Sequence, residues 1–474
     1  MKDKYGVLLA ISSLPGEQGI GDFGKCAYDF ANAIKNRGYK YWQVLPINPV
    51  GPGNSPYMST CSEAIEPRYI DLNWFVKKGL LKGVKKMPKS DKVDYQAVWE
   101  FKKPYLMKAF AKFKKHPIRG YKKFLKENPW VYPFAVFTYF RGVNNYQIWN
   151  TWAPEMKFYF DNHKYNEFPK GGEEECEFHL FCQFIAKLQY EKLRKYLKKI
   201  GLVLIADCPF YVGIDSTDCW LNKDQFIMNE NYKPTLVSGC PPDAFSDDGQ
   251  LWGTPIFNFK KMQENNFEFL THRIGFLATT CDYLRLDHFR AWDTYCIIPA
   301  EDENARRGKW EIGPRTEFFD ALFQKYPEIN LIAEDLGDLF QGVHDLRDHY
   351  NFPGMHITEF TIFDETNPSK DTQIVYPGTH DNETIQGWLE NLPEENINYL
   401  KKKFGEDVDL FEAMFNFTWN TASLMTIFPL QDLMRLDNSA RMNYPGTVGS
   451  PNWEWKLRDE NYNKKIKYGL KSNE

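Results

Sequence analysis

At 474 residues, with 43% hydrophobic and 26% charged side chains, the chain has the composition of a globular protein able to bury a large core. A net charge of −4 provides no overall field to recruit nucleic acid or an anionic membrane surface, and no run reaches the ~18 apolar residues of a membrane span. Nine scattered cysteines without a C-x-x-C pair read as reduced thiols, and the apolar run in "MKDKYGVLLAISS" is too brief for a cleaved signal, so the expected location is the cytoplasm.

In chain order, the first candidate strand is "GVLLAIS", followed by "SLPGEQGIGDFG" and a helix predicted over 23–37. Residues 19–24 fit G-x-G-x-x-G, but six residues separate the run from Gly19, and Asp22 puts a carboxylate where a pyrophosphate would dock. The second candidate strand, "YWQVLPI", ends without the acidic residue that would hold a ribose. The glycines therefore read as a tight loop, with Asp22 favouring the first helical turn, and no nicotinamide or flavin cofactor is expected. Six further runs read as buried parallel strands: "GLVLIAD", "CDYLRLD", "NLIAED", "MHITEF", "QIVYPGTHD" and "SLMTIFPLQD". Amphipathic helices separate many of them, for example 178–200 and 315–326. Eight such units predict an α/β fold of the (β/α)8 TIM barrel type, with a doubly wound sheet as the competing layout.

The spacing is uneven. About 150 residues (49–200) separate the second and third strands, and about 75 (208–281) the third and fourth. Segments this long must fold as insertions, so one barrel over 1–474 is expected to carry inserted subdomains near 60–170 and 208–270. Residues 77–126 hold 17 Lys and Arg against 3 Asp and Glu, which reads as the solvated face of an insertion rather than a nucleic-acid patch. The acid-rich "DSTDCWLNKDQ" lacks the spacing of a calcium loop, so no metal is expected.

Three carboxylates end candidate strands: Asp287 in "YLRLDHFRA", Glu334 in "NLIAEDLG" and Asp381 in "VYPGTHDNET". In a barrel all three project at the mouth that carries active sites. Retaining cleavage of a glycosidic bond needs an ionised nucleophile and a protonated donor flanking one anomeric carbon, and a third carboxylate can steady developing positive charge. Arg285, two residues before Asp287 and on the same strand face, is placed to keep that carboxylate charged.

The order and wording of "RLDHFRA", "IAEDLG" and "GTHDNET" resemble the signature regions of the α-amylase superfamily. Over residues 5–458 the chain resembles the amylomaltases, bacterial 4-α-glucanotransferases related to the plant disproportionating enzyme. "WQVLPINPVGPGNSPY", "GCPPDAFSDDGQLWGTP" and "SARMNYPGTVGSPNWEW" carry the same resemblance. It implies a TIM barrel without a C-terminal β-domain and without cofactor or metal. It implies Asp287 as nucleophile, Glu334 as general acid/base and Asp381 as transition-state stabiliser. Tyr57, Asp207, Arg285 and His380 would surround the donor sugar, Gln250 and Trp252 would form the acceptor side, and Asn443 would close the mouth. The glycine-rich loop 12–24 would shape the rim. Departures include Thr254, where the family has Asn. The implied substrates are maltooligosaccharides, amylose and other α-1,4-glucans, with glucose as an acceptor; oligomeric state is not implied. The residues alone leave open a retaining α-glucan hydrolase and a non-catalytic glucan-binding protein.

Overall fold

The computed structural model describes residues 3–242, 247–337, 339–364 and 366–468. The strands in chain order are β1 (Tyr5–Leu8), β2 (Tyr41–Gln43), β3 (Val203–Cys208), β4 (Leu236–Cys240), β5 (Gln250–Pro255), β6 (Tyr283–Leu286), β7 (Thr294–Pro299), β8 (Lys309–Ile312), β9 (Leu331–Ala333), β10 (Met355–Ile357), β11 (Ile374–Tyr376) and β12 (Met425–Pro429). Eight of them form a parallel sheet in the order β10-β11-β12-β1-β2-β3-β6-β9. The two ends of this sheet meet where the Ala333 N–H donates to the Pro353 carbonyl at 2.9 Å, so the barrel is nearly closed. Each of the eight runs predicted from the sequence overlaps one of these strands, with β1 starting one residue before its run and β3 ending one residue after its run. β1 and β12 are buried at every position, because helices cover the outside of a parallel barrel while side chains fill its inside. Among the described residues no helix is long and apolar enough to cross a membrane.

The chain between β2 and β3 is helical. Its longest helix, Glu173–Ile200, opens with three glutamates in the first turn and closes with Lys198 and Lys199 before Gly201 at φ 73°, a charge order that complements the helix dipole. Two glutamines of this helix clasp the preceding loop. Gln183 exchanges bonds with the Ile65 backbone (2.9 and 2.8 Å), and Gln189 with that of Asp71 (2.8 and 3.2 Å). The 77–126 lysines are mostly exposed, on the 21-residue helix Tyr95–Lys115, on the shorter helices beside it and on the segment before it. Lys102 is the exception: fully buried, it donates to the carbonyls of Arg68 (2.5 Å) and Ile70 (2.9 Å).

A second sheet, in the order β5-β4-β7-β8, is antiparallel. β4 and β5 come from the segment between β3 and β6. β7 and β8 come from the segment between β6 and β9, and β4 meets β7 at Leu236↔Pro299 and Val237↔Ile298. Two separate barrel connections thus share one sheet around Val237, Cys296, Ile298 and Ala305. The spacing had singled out the first of these connections and not the second.

The first helix begins at Lys25, two residues later than expected, with Gly24 at its N-cap. Asp22 lies outside it and accepts from the Gly24 N–H at 2.8 Å. The glycines here answer to packing: a Cβ on Gly21 would fall 1.8 Å from the Ile11 carbonyl oxygen, and one on Gly24 2.4 Å from the Asp71 carboxyl carbon. The 12–24 loop is also absent from the wall of the catalytic cavity, where the rim reading had put it. It is held one layer back, with Ser13 Oγ donating to the Trp455 carbonyl at 2.8 Å.

Candidate active site

Parallel register sets the floor. Asp207 on β3 pairs with Arg285 on β6, so their side chains share a face of the barrel. Arg285 Nη1 donates to both Asp207 oxygens (2.8 Å each) and to Asp287 Oδ1 (3.0 Å). Asp287 and Glu334 immediately follow β6 and β9, and the backbone ties them together. The Glu334 N–H bonds to the Leu286 carbonyl (3.1 Å), the Phe289 N–H to the Glu334 carbonyl (3.1 Å), and Glu334 Oε2 accepts from the His288 N–H at 2.6 Å. The last contact is possible because His288 adopts φ 49°, which turns the chain sharply after Asp287.

Both carboxyls line one cavity of about 700 Å³ at the C-terminal ends of the strands. Arg285, His288, His380, Asp381, Asn443, Tyr57, Gln250, Trp252 and Thr254 line it too. Asp207 does not; its side chain is 0% exposed and sits behind Arg285 and Tyr57, whose hydroxyl donates to Asp207 Oδ2 at 2.6 Å. Asp207 therefore touches the cavity only through the two groups it holds.

Burial dominates the electrostatics. It pushes Asp287 up to about 7, with Arg285 pulling down and Asp207 and Asp381 pushing further up. Arg285 favours the ionised form of Asp287, as its place on the strand suggests, but burial outweighs it. Burial and the Asp287 charge raise Glu334 well above the usual carboxylate range, more than Arg285 lowers it. Burial lowers His380 below the ordinary imidazole value, so its contact with Asp381 (3.4 Å) joins a neutral ring to a carboxylate.

Asp381 follows β11 in a turn closed by Asn382, whose Oδ1 accepts from the Thr379 N–H at 2.9 Å. Asn443 Nδ2 donates to Asp381 Oδ1 at 2.7 Å. The Tyr57 and His380 rings stack at 5.3 Å and 7° and form one side wall. Opposite, on β5, Trp252 Nε1 donates to Gln250 Oε1 (3.1 Å) and Trp252 meets His288 edge-on at 4.8 Å. Residues 243–246 of the "GCPPDAFSDDGQLWGTP" motif lie outside the described residues.

Two arginines escaped the sequence reading. Arg441 donates to the carbonyls of Asp381 (2.7 Å) and Asn443 (2.8 Å), clamping both ends of the Asn443–Asp381 contact. Arg273, 3% exposed, donates to Ser62 Oγ (2.8 Å) and to the carbonyls of Pro209 (2.7 Å), Phe210 (3.0 Å) and Tyr211 (3.4 Å). It ties the loop after β3, which lines the cavity, to the loop after β2. Its only signal in the sequence is a cation within the apolar run "FLTHRIGFLA".

The sequence profile of the 4-alpha-glucanotransferase family matches residues 9–461. The chain is 34% identical to the 4-alpha-glucanotransferase of Clostridium butyricum, over 95% of both chains, and 34% identical to that of Aquifex aeolicus, over 97% of this chain and 96% of the relative. Its structure is similar to that of the amylomaltase from Streptococcus agalactiae in complex with acarbose, with a TM-score of 0.91, 32% identity and 98% of each chain covered. By sequence and by fold alike, the chain belongs to the 4-alpha-glucanotransferase family.

Proposed function

We propose that this chain moves α-1,4-glucan segments between maltooligosaccharides, amylose or related glucans, and onto glucose, by double displacement through Asp287. The Asp287 carboxylate attacks the anomeric carbon of the donor while the Glu334 proton passes to the departing glycosidic oxygen. A glycosyl ester remains on Asp287. Glu334, now ionised, takes the proton from the 4-hydroxyl of an incoming sugar, whose oxygen displaces the ester and leaves Asp287 free. Asp381, oriented by Asn443, opposes the positive charge that builds on the sugar ring. Arg285, Tyr57 and His380 hold the donor sugar, with Asp207 fixing the first two. Gln250 and Trp252 receive the acceptor.

The observation that carries this reading is geometric: Asp287, Glu334 and Asp381 line one cavity, with Arg285 bonded to Asp287, the His288 N–H bonded to Glu334 and Asn443 bonded to Asp381. A sugar seated against Trp252 excludes the water that would otherwise hydrolyse the ester, and the 239–258 segment is the candidate for that work. Incubation with maltotriose tests it: transfer yields glucose and a ladder of longer glucans. Shorter sugars alone would instead identify a hydrolase with the same three carboxylates.

A further inference from the structure

A second cavity of about 220 Å³ lies away from the barrel mouth, between the helices Glu173–Ile200 and Glu268–Thr279 and the root of the loop that carries Tyr57. None of its lining residues belongs to the catalytic cavity. We propose that this cleft is a separate binding site for one pyranose unit, either free glucose or the end of a glucan chain. The proposal goes beyond the transferase reading, which brings such sugars to the protein but gives them no place here.

Trp130 and Phe276 form an aromatic corner, with ring centres 6.1 Å apart and planes at 74°. Trp130 Nε1 is buried and has no hydrogen-bond partner among the described residues. Among the charged groups of the lining, Arg194 donates to the carbonyls of Thr279 (3.1 Å) and Cys281 (3.4 Å), and the others meet titratable partners. Glu63 Oε1 meets His272 Nε2, beside the cleft, at 2.8 Å, and Lys187 Nζ lies 3.7 Å from Glu191 Oε1 and 5.4 Å over the Phe276 ring. Glu63 and Glu191 stand with Lys187 and Arg194 in the lining, so the cleft offers both hydrogen-bond acceptors and donors. A pyranose suits this lining. Its C–H face packs on an aromatic ring, and its hydroxyls bridge the carboxylate and ammonium groups of the lining. The volume limits the occupant to about one ring, below the ~300 Å³ at which pockets for larger ligands begin.

The test follows the indole N–H resonances of 15N-labelled full-length chain, among 14 tryptophans, with Trp130 assigned by its absence in Trp130→Phe. Should that variant fail to fold, Phe276→Leu, altering the ring beside Trp130, identifies the same resonance by displacing it. Glucose is titrated into Asp287→Asn, so that no glucan is turned over. We expect the Trp130 resonance to move saturably, and Phe276→Ala to weaken the apparent affinity about tenfold. A Trp130 resonance that stays still while that of Trp252 moves would reduce the cleft to a solvent pocket and overturn the proposal. Equal movement with inorganic phosphate would overturn the ligand class. The outcome is separate from the maltotriose ladder: a missing ladder with a moving Trp130 would sink the transferase reading alone, and the reverse pattern would sink this one alone.

Discussion

At the floor of the catalytic cavity every charged side chain is committed. Asp207 is wholly buried and bonded to Arg285 and Tyr57, Arg285 reaches Asp287, and the Glu334 carboxylate is held by a backbone N–H. The rim around Trp252 is built differently. Leu251 on β5 is 39% exposed, Gln250 and Trp252 bond mainly to each other, and the sheet behind them is assembled from two barrel connections. The floor is preorganised by strand register, so it fixes which bond is broken. On the proposed mechanism, the rim would decide what receives the sugar. The contrast predicts that floor substitutions abolish all chemistry, while rim substitutions redistribute products.

The sharpest way to break this contrast is Asp287→Asn. Maltotriose disproportionation should fall by about 10⁴-fold or more with the thermal midpoint unchanged, as measured by product chromatography and calorimetry. A residual rate within tenfold of the native chain would mean that the floor does not carry the reaction. Arg273 comes next, because it joins two loops of the cavity without touching its contents. Arg273→Met should cost on the order of 3 kcal/mol in urea unfolding, since it strands buried carbonyls at 209–211, and should raise KM more than it lowers kcat. Arg273→Lys should recover part of both. At the rim, Trp252→Ala should raise the acceptor KM about tenfold and increase the share of hydrolysed product, leaving donor cleavage nearly intact. Equal loss of cleavage and transfer would erase the distinction between floor and rim.

The smallest effect concerns pH. Asp287 must be ionised to attack, so kcat/KM should fall on the acid side as pH drops through about 7, by about tenfold per unit. Because the Asp381 charge is among the groups that raise Asp287, the residual activity of Asp381→Asn should lose its acid limb at a lower pH than the native chain. A limb that stays in place would show that Asp381 has no electrostatic hold on the nucleophile.

These two regions also differ in how far the sequence disclosed them. All eight barrel strands announce themselves as short apolar runs ending in polar residues, since a strand buried on both faces cannot hide its composition. Asp287, Glu334 and Asp381 were visible because each sits directly past such a run or in the turn after it. The β7–β8 hairpin was not visible: its pairing with β4 joins residues about 60 apart in the chain, and the alternation of Lys309–Ile312 spans only four residues. Arg441 and Arg273 act through carbonyl oxygens, and a carbonyl is present at every residue, so composition gives no hint of which ones need a donor. Asp207 entered only through the family resemblance, and its place behind the wall depends on the β3–β6 register, which spacing does not determine.

The central claim is a covalent glycosyl ester on Asp287. Glu334→Gln treated with an α-maltotriosyl fluoride tests it directly, since a fluoride leaving group needs no acid to depart while release of the ester still needs the missing base. Mass spectrometry of the digested protein should find one glycosyl adduct, on the peptide that contains Asp287. An adduct on Asp381 or elsewhere, or an unmodified protein that still turns over the fluoride, would contradict the account.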